Sequence, residues 1–199
     1  MFQAAGTVKL AIDLMQLPSQ VRLVRAAPLP DDVRVLLRIA SGDEEIASQA
    51  AEWAGRRPAI VREAAAFFIE QILLYPGADS YRVLGSTPES PYSELRHNMT
   101  LLLRWLHPDR DPEQQRAVFS ARVTRAWNDL KTEERRAAYD RQRLSTSSPA
   151  ATSPRGHAVN WHRPHSGHPV SSWPPRIYSN TGRGFLRRLL LQMFGRISL

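Results

Sequence analysis

The chain has no cysteine among its 199 residues, which excludes structural disulfides, thiolate zinc sites and cysteine nucleophiles. Lysine is nearly absent too: apart from Lys9 and Lys131, every basic residue is arginine. Long apolar runs are missing. The longest, Ala64 to Leu74, contains Glu70 and is too short to span a bilayer. Residues 1–9 show no charged segment leading into an apolar run, so no signal peptide is expected. The lack of cysteine fits a reducing compartment, and the expected location is cytoplasmic, with room for peripheral contact with a membrane.

Acid is absent from one quarter of the chain. Residues 143–199 hold Arg143, Arg155, Arg163, Arg176, Arg183, Arg187, Arg188 and Arg196 and neither Asp nor Glu. All 19 acidic residues lie in residues 1–142, matched there by an equal number of basic ones. The net charge of +8 therefore belongs to the tail, which reads either as a solvated basic extension or as a contact for an anionic partner.

Residues 1–78 read as a small helical subdomain. Leu10, Leu14 and Leu17 fall on one helical face before Pro18. Pro30-Asp31-Asp32 opens a second helix carrying Val33, Leu36, Leu37 and Ala40, which Ser41-Gly42 ends. Asp43 caps a third, with Ile46, Ala50 and Trp53 on its buried side. Pro58 begins a fourth and Pro76-Gly77 terminates it. Its polar arc is narrow (Arg62, Glu63 and Glu70), so it must be covered on several sides. Val21 to Val24 carry no clear assignment.

The next segment holds a frame of spaced signals. Asp79-Ser-Tyr-Arg-Val-Leu-Gly85 precedes a Ser90-Pro91 helix start. An apolar stripe of Leu95, Met99, Leu102 and Leu106 leads to His107-Pro108-Asp109. The residue before a proline is driven out of the helical region, so that helix ends near Leu106 or His107. Asp111-Pro112-Glu113 is a good restart, and Phe119, Val123, Ala126 and Leu130 form the next stripe, with Trp127 beside it. Two helices joined so closely pack as a hairpin, which presents His107, Pro108 and Asp109 at its tip. Arg135-Arg-Ala-Ala-Tyr-Asp140 ends the frame.

In these motifs residues 79–142, about a third of the chain, resemble the J-domain of DnaJ-family co-chaperones. The resemblance implies a helical hairpin with short flanking helices, and a partner of the DnaK type. The His-Pro-Asp loop would engage this heat-shock ATPase and bias it towards hydrolysing ATP and clamping substrate. Asp109 would offer a carboxylate to an arginine of the partner, Pro108 would stiffen the loop and lower the ordering cost of binding, and His107 would add hydrogen bonds or packing. Arg96, Arg104 and Arg110 would supply the basic charge beside it. No nucleophile or pocket accompanies His107 and Asp109, so no enzymatic activity, cofactor or metal is expected. The second helix departs from the family in carrying few basic residues: Thr100, Leu101 and Trp105 stand at positions commonly basic or polar. Weaker electrostatic steering follows, and Leu101 and Trp105 either pack on the N-terminal helices or meet a partner. Neither the cysteine-rich module nor the Gly/Phe-rich segment of larger family members is present. The chain thus resembles the J-domain-only class, with residues 1–78 the candidate for binding a client.

Residues 143–183, rich in Ser, Pro, Arg and His, are expected to be disordered. His157, His162, His165 and His168 lack the spacing of a metal site, and Trp161 and Trp173 make only a weak case for stacking on nucleic acid. Residues 184–199 form a basic amphipathic segment. Phe185, Leu189 and Phe194 lie opposite Arg187 and Arg188, a pattern suited to an anionic membrane surface, a hydrophobic groove or folding back on the core. The expected fold is therefore all-α: a helical subdomain over 1–78, a J-domain over 79–142, a linker over 143–183 and the amphipathic segment. The expected function is chaperone recruitment in protein folding and the stress response. The competing readings are a targeting scaffold with a degenerate J-like domain, and nucleic-acid or membrane binding through the arginine tail.

Overall fold

A computed structural model describes residues 2–107 and 117–147. These form helices α1 (Phe2–Gln16), α2 (Val21–Ala26), α3 (Val33–Ala40), α4 (Glu44–Ala54), α5 (Pro58–Phe68), α6 (Ser80–Val83), α7 (Tyr92–Trp105), α8 (Ala117–Leu130) and α9 (Glu133–Ser147). No strand occurs among the described residues, so the all-α expectation holds for them. Contacts divide the chain into residues 1–140 and residues 141–199. The first unit holds both the N-terminal helices and α6 to α8.

Turn chemistry sets several boundaries. Asp43 accepts from the Ile46 amide at 3.2 Å at the start of α4, and Asp79 accepts from the Arg82 amide at 2.9 Å at the start of α6. Each satisfies an amide that the helix leaves unpaired, worth about 1 kcal/mol. Gly55 ends α4 in the left-handed region at φ 60°, where a Cβ would be strained. Pro58 occupies the first turn of α5, where its missing N–H costs nothing.

The N-terminal helices surround α5. It packs against α1, α3 and α4, which accounts for its narrow polar arc. Past Phe68 the helix widens into a π turn over Ile69–Leu73, closed by the Leu74 amide donating to the Ile69 carbonyl at 2.9 Å. The extra residue in that turn brings Ile69, Ile72, Leu73 and Leu74 all to full burial. Two carbonyls at this end take arginine side chains. Arg25 Nε donates to Gln71 O at 2.7 Å, and Arg122 donates to Leu74 O.

Two details differ from the sequence reading. Leu17 does not share the buried face of α1. It is 51% exposed, whereas Val8, Ala11, Ile12 and Leu14 are buried, because the helix stops at Gln16 and a 3-10 turn, Pro18–Gln20, redirects the chain. The unassigned stretch Val21–Val24 is helical, in α2.

Candidate partner-docking site

α7 and α8 run antiparallel, as two ring pairs at opposite ends establish. Tyr92, at the start of α7, lies 5.7 Å from Trp127, near the end of α8. Trp105, at the end of α7, stacks on Phe119, near the start of α8, with centroids 6.4 Å apart. The expected inner stripes are inside: Leu95, Met99, Leu102 and Leu106 are buried, as are Val123, Ala126, Trp127 and Leu130, while Phe119 is half-buried.

α7 is covered on a second side, since it also packs against α3. Trp105, 3% exposed, is committed inside the fold, and Leu101 is half-buried. Asn98 is fully buried, which helical spacing alone does not reveal. Its side-chain amide donates to the Leu84 carbonyl at 3.1 Å, the Gly85 carbonyl at 3.2 Å and Ser86 Oγ at 3.2 Å. These bonds tie α7 to the bend after α6, where Gly85 adopts φ 60°.

Beyond its first turn, where Tyr92 and Ser93 are exposed, α7 exposes a polar, partly basic stripe: Arg96, His97, Thr100 and Arg104, spaced so that they share one face. Ion pairs join Arg38 to Asp43 and Arg62 to Glu44, and neither uses Arg96 or Arg104. Arg104 is near enough to Asp43 for its charge to contribute to that carboxyl's titration. The stripe leads to His107, half-buried just past the end of α7, whose amide donates to the Arg104 carbonyl at 3.4 Å. Pro108, Asp109 and Arg110, with the restart at Asp111-Pro112-Glu113, lie outside the described residues.

The far end of this assembly is fastened by hydroxyls and carboxylates. Tyr81 in α6 donates to the Asp140 carboxylate, 2.9 Å from Oδ1, and accepts from Arg136 Nε at 3.0 Å. Arg136 also donates to the Pro88 and Ser90 carbonyls. Tyr139 packs edge-on against Tyr81 at 5.9 Å and its hydroxyl accepts from the Ser80 amide at 2.8 Å. Burial raises the Tyr81 phenol, and the Asp140 hydrogen bond pushes the same way.

Phe185, Arg187, Arg188, Leu189 and Phe194, and the four histidines of the linker, also lie outside the described residues. Among those described, no three His, Asp or Glu side chains form a group able to hold a metal ion, and no helix is long and apolar enough to cross a membrane. No family model, curated protein or solved structure matches the chain.

Proposed function

We propose that the chain is a J-domain co-chaperone, which recruits a DnaK-type ATPase and stimulates its ATP hydrolysis in support of protein folding or client delivery. The observation that carries this reading is the exposed Arg96–His97–Thr100–Arg104 stripe on one arm of an antiparallel hairpin, ending at His107 immediately before Pro108-Asp109. A partly basic face leading to Pro108-Asp109 would suit an acidic partner surface: the stripe would steer the encounter, though more weakly than a fully basic helix, and the proline would lower the ordering cost of binding. Arg110 would add charge beside the tip. The clasp of Tyr81 and Asp140 supports the hairpin from its other end, where the family's closing helix would stand.

The activity belongs to the partner, and no catalytic role is assigned to this chain. Residues 1–78 would carry the client or address the chain to its place of work. Residues 184–199 would bring it to an anionic membrane surface in an otherwise cytoplasmic setting. Steady-state ATP turnover of the partner ATPase tests the reading. The wild-type chain should raise turnover, and His107→Gln or Asp109→Asn should remove the effect without changing helical content. Equal stimulation by wild type and both variants would end the proposal.

The packing of α3 on α7 favours a second reading, in which the hairpin serves as part of an interaction or targeting scaffold. That reading expects no stimulation by the wild-type chain, together with binding of a partner through residues 1–78.

A further inference from the structure

A cleft of about 320 Å³ opens between the segment after the π turn, α6 and α8, with Tyr139 of α9 on its wall. From α8 it is lined by Arg122, Arg125 and Asp129, which lie outside the stripe facing α7, together with Ala126 of that stripe. Three features show that its walls are built. The Tyr75 ring is held from two sides, by the Arg25 guanidinium 4.7 Å above its centroid and by Gly77, where a Cβ would come within 2.8 Å of the ring. Arg122 is fixed by its bond to Leu74 O and lies over the Phe119 ring. Asp129 already accepts a hydrogen bond from Ser80 Oγ at 2.7 Å.

Arg125 differs from these groups. It is exposed on the cleft's rim and has no hydrogen bond, ion pair or ring contact. The two guanidiniums outnumber the single carboxylate, so the cleft favours a negative group. Beside them the lining turns apolar, with Tyr75, Pro76 and Val83, and the same side of α8 continues through exposed Ala121 to Val118, 60% exposed. A small anion would leave that apolar wall unused, whereas a chain alternating carboxylates with apolar side chains would use both.

We propose that this cleft is a docking site for an acidic–apolar peptide segment of another protein, with a carboxylate of that segment on Arg125 and an apolar side chain against Tyr75, Pro76 and Val83. The bidentate geometry of guanidinium and carboxylate gives the contact direction, and the apolar neighbour contributes burial. The site does not depend on the co-chaperone reading: it uses none of the α7 stripe or tip residues, although Tyr75 and Pro76 fall within the segment proposed to carry a client.

The test is an amide-resolved NMR titration of the full chain with a synthetic peptide alternating Asp with Leu and Phe. The counterpart peptide with Asn for every Asp serves as the control. The acidic peptide should shift amides of Val83, Ala126 and their neighbours with saturation. Arg125→Glu should weaken that binding about tenfold while leaving the far-UV circular dichroism unchanged. Pro76→Glu, a second exposed position, should weaken it too. The proposal is overturned if shifts are confined to the arginine-rich tail, if Arg125→Glu binds as well as wild type, or if the Asn peptide binds equally. A thymidine oligonucleotide that shifts the same amides more strongly than the peptide would assign the cleft to nucleic acid and overturn it as well.

Discussion

The side chain of Asn98 in α7 holds the backbone of Gly85, its amide donating to the Gly85 carbonyl at 3.2 Å while the Leu84 carbonyl accepts from it at 3.1 Å. The bend needs this support because Gly85 stands where neither a side chain nor a water-exposed carbonyl would fit. A Cβ there would approach Val33 Cγ1 to 3.0 Å, and its φ of 60° is left-handed. Asn98 Oδ1 itself is buried without a partner, so the residue is kept for its donors alone.

Asn98→Ala should therefore destabilise the fold by roughly 1–3 kcal/mol, the cost of stranding buried acceptors. Asn98→Asp should cost more, since it retains the shape but places a carboxylate against two carbonyl oxygens. Urea unfolding of the three proteins at neutral pH checks the order. An Asn98→Asp variant as stable as the parent would show that the amide is dispensable.

Stability should fall in strong alkali through Tyr81. Burial raises its phenol and the Asp140 bond adds to the shift, so the folded state holds that proton more tightly than the unfolded chain. The resulting stabilisation is complete below about pH 10, the unperturbed tyrosine value, and is lost as pH rises through the higher folded value. Tyr81→Phe removes both the hydroxyl bonds and that titration. It should be less stable than wild type at neutral pH by about 1 kcal/mol, with the difference shrinking above about pH 10. A constant difference across that range would rule out the Tyr81 titration as its source.

Asp43 acts in the opposite direction at the acid end. Burial pushes its carboxyl up, but the Arg38 hydrogen bonds, the Ile46 amide and the charges of Arg38 and Arg104 outweigh that effect and hold it below the ordinary carboxylate value. Its contribution is present above the unfolded value of about 4 and disappears as pH falls through the lowered folded value. Asp43→Asn keeps a good helix cap and loses the charge. Chemical denaturation should find the variant weaker than wild type at neutral pH and equal to it at the acid end of the titration. A gap that persists in acid would place the effect in the cap rather than in the charge.

How much of this could be read from the residues depends on whether the information is local. The inner faces of α7 and α8 are legible because Leu95, Met99, Leu102 and Leu106, like Val123, Ala126 and Leu130, repeat at helical spacing. The Asp43 cap and the Pro58 start are legible for the same reason, since each acts within one turn. Leu17 misleads because its periodicity runs on past the point where the helix stops at Gln16. Asn98 looks like a surface residue until its acceptors at 84–86 are known. Tyr81 and Asp140 are 59 positions apart, and Arg122 meets a carbonyl 48 positions earlier. Such polar pairs depend on how the helices are assembled, which no stripe records. The candidate site divides along the same line: Arg96, Arg104 and His107 are marked by the motif, while the cleft around Arg125 emerges only from the packing.

The packing across residues 78 and 79 leads to a prediction about the hairpin alone. Gly85 lies against Val33, with Leu37 and Leu73 close by, Arg82 donates to the Ala27 carbonyl, Arg122 donates to the Leu74 carbonyl, and α7 packs on α3. Removing residues 1–78 strips all four at once and exposes apolar surface on α6 and α7 that the full chain covers. Local helix and the Trp105–Phe119 stack survive in principle, but the bend at Gly85 loses its packing. A fragment of residues 79–147 should thus retain helical far-UV dichroism while losing near-UV signal, binding ANS and unfolding over a broad urea range, the behaviour of a loosely packed state. The full chain should unfold with a sharper transition over residues 1–140. A fragment with native near-UV dichroism and a cooperative transition of its own would show that the N-terminal helices are an addition to the hairpin rather than part of its core.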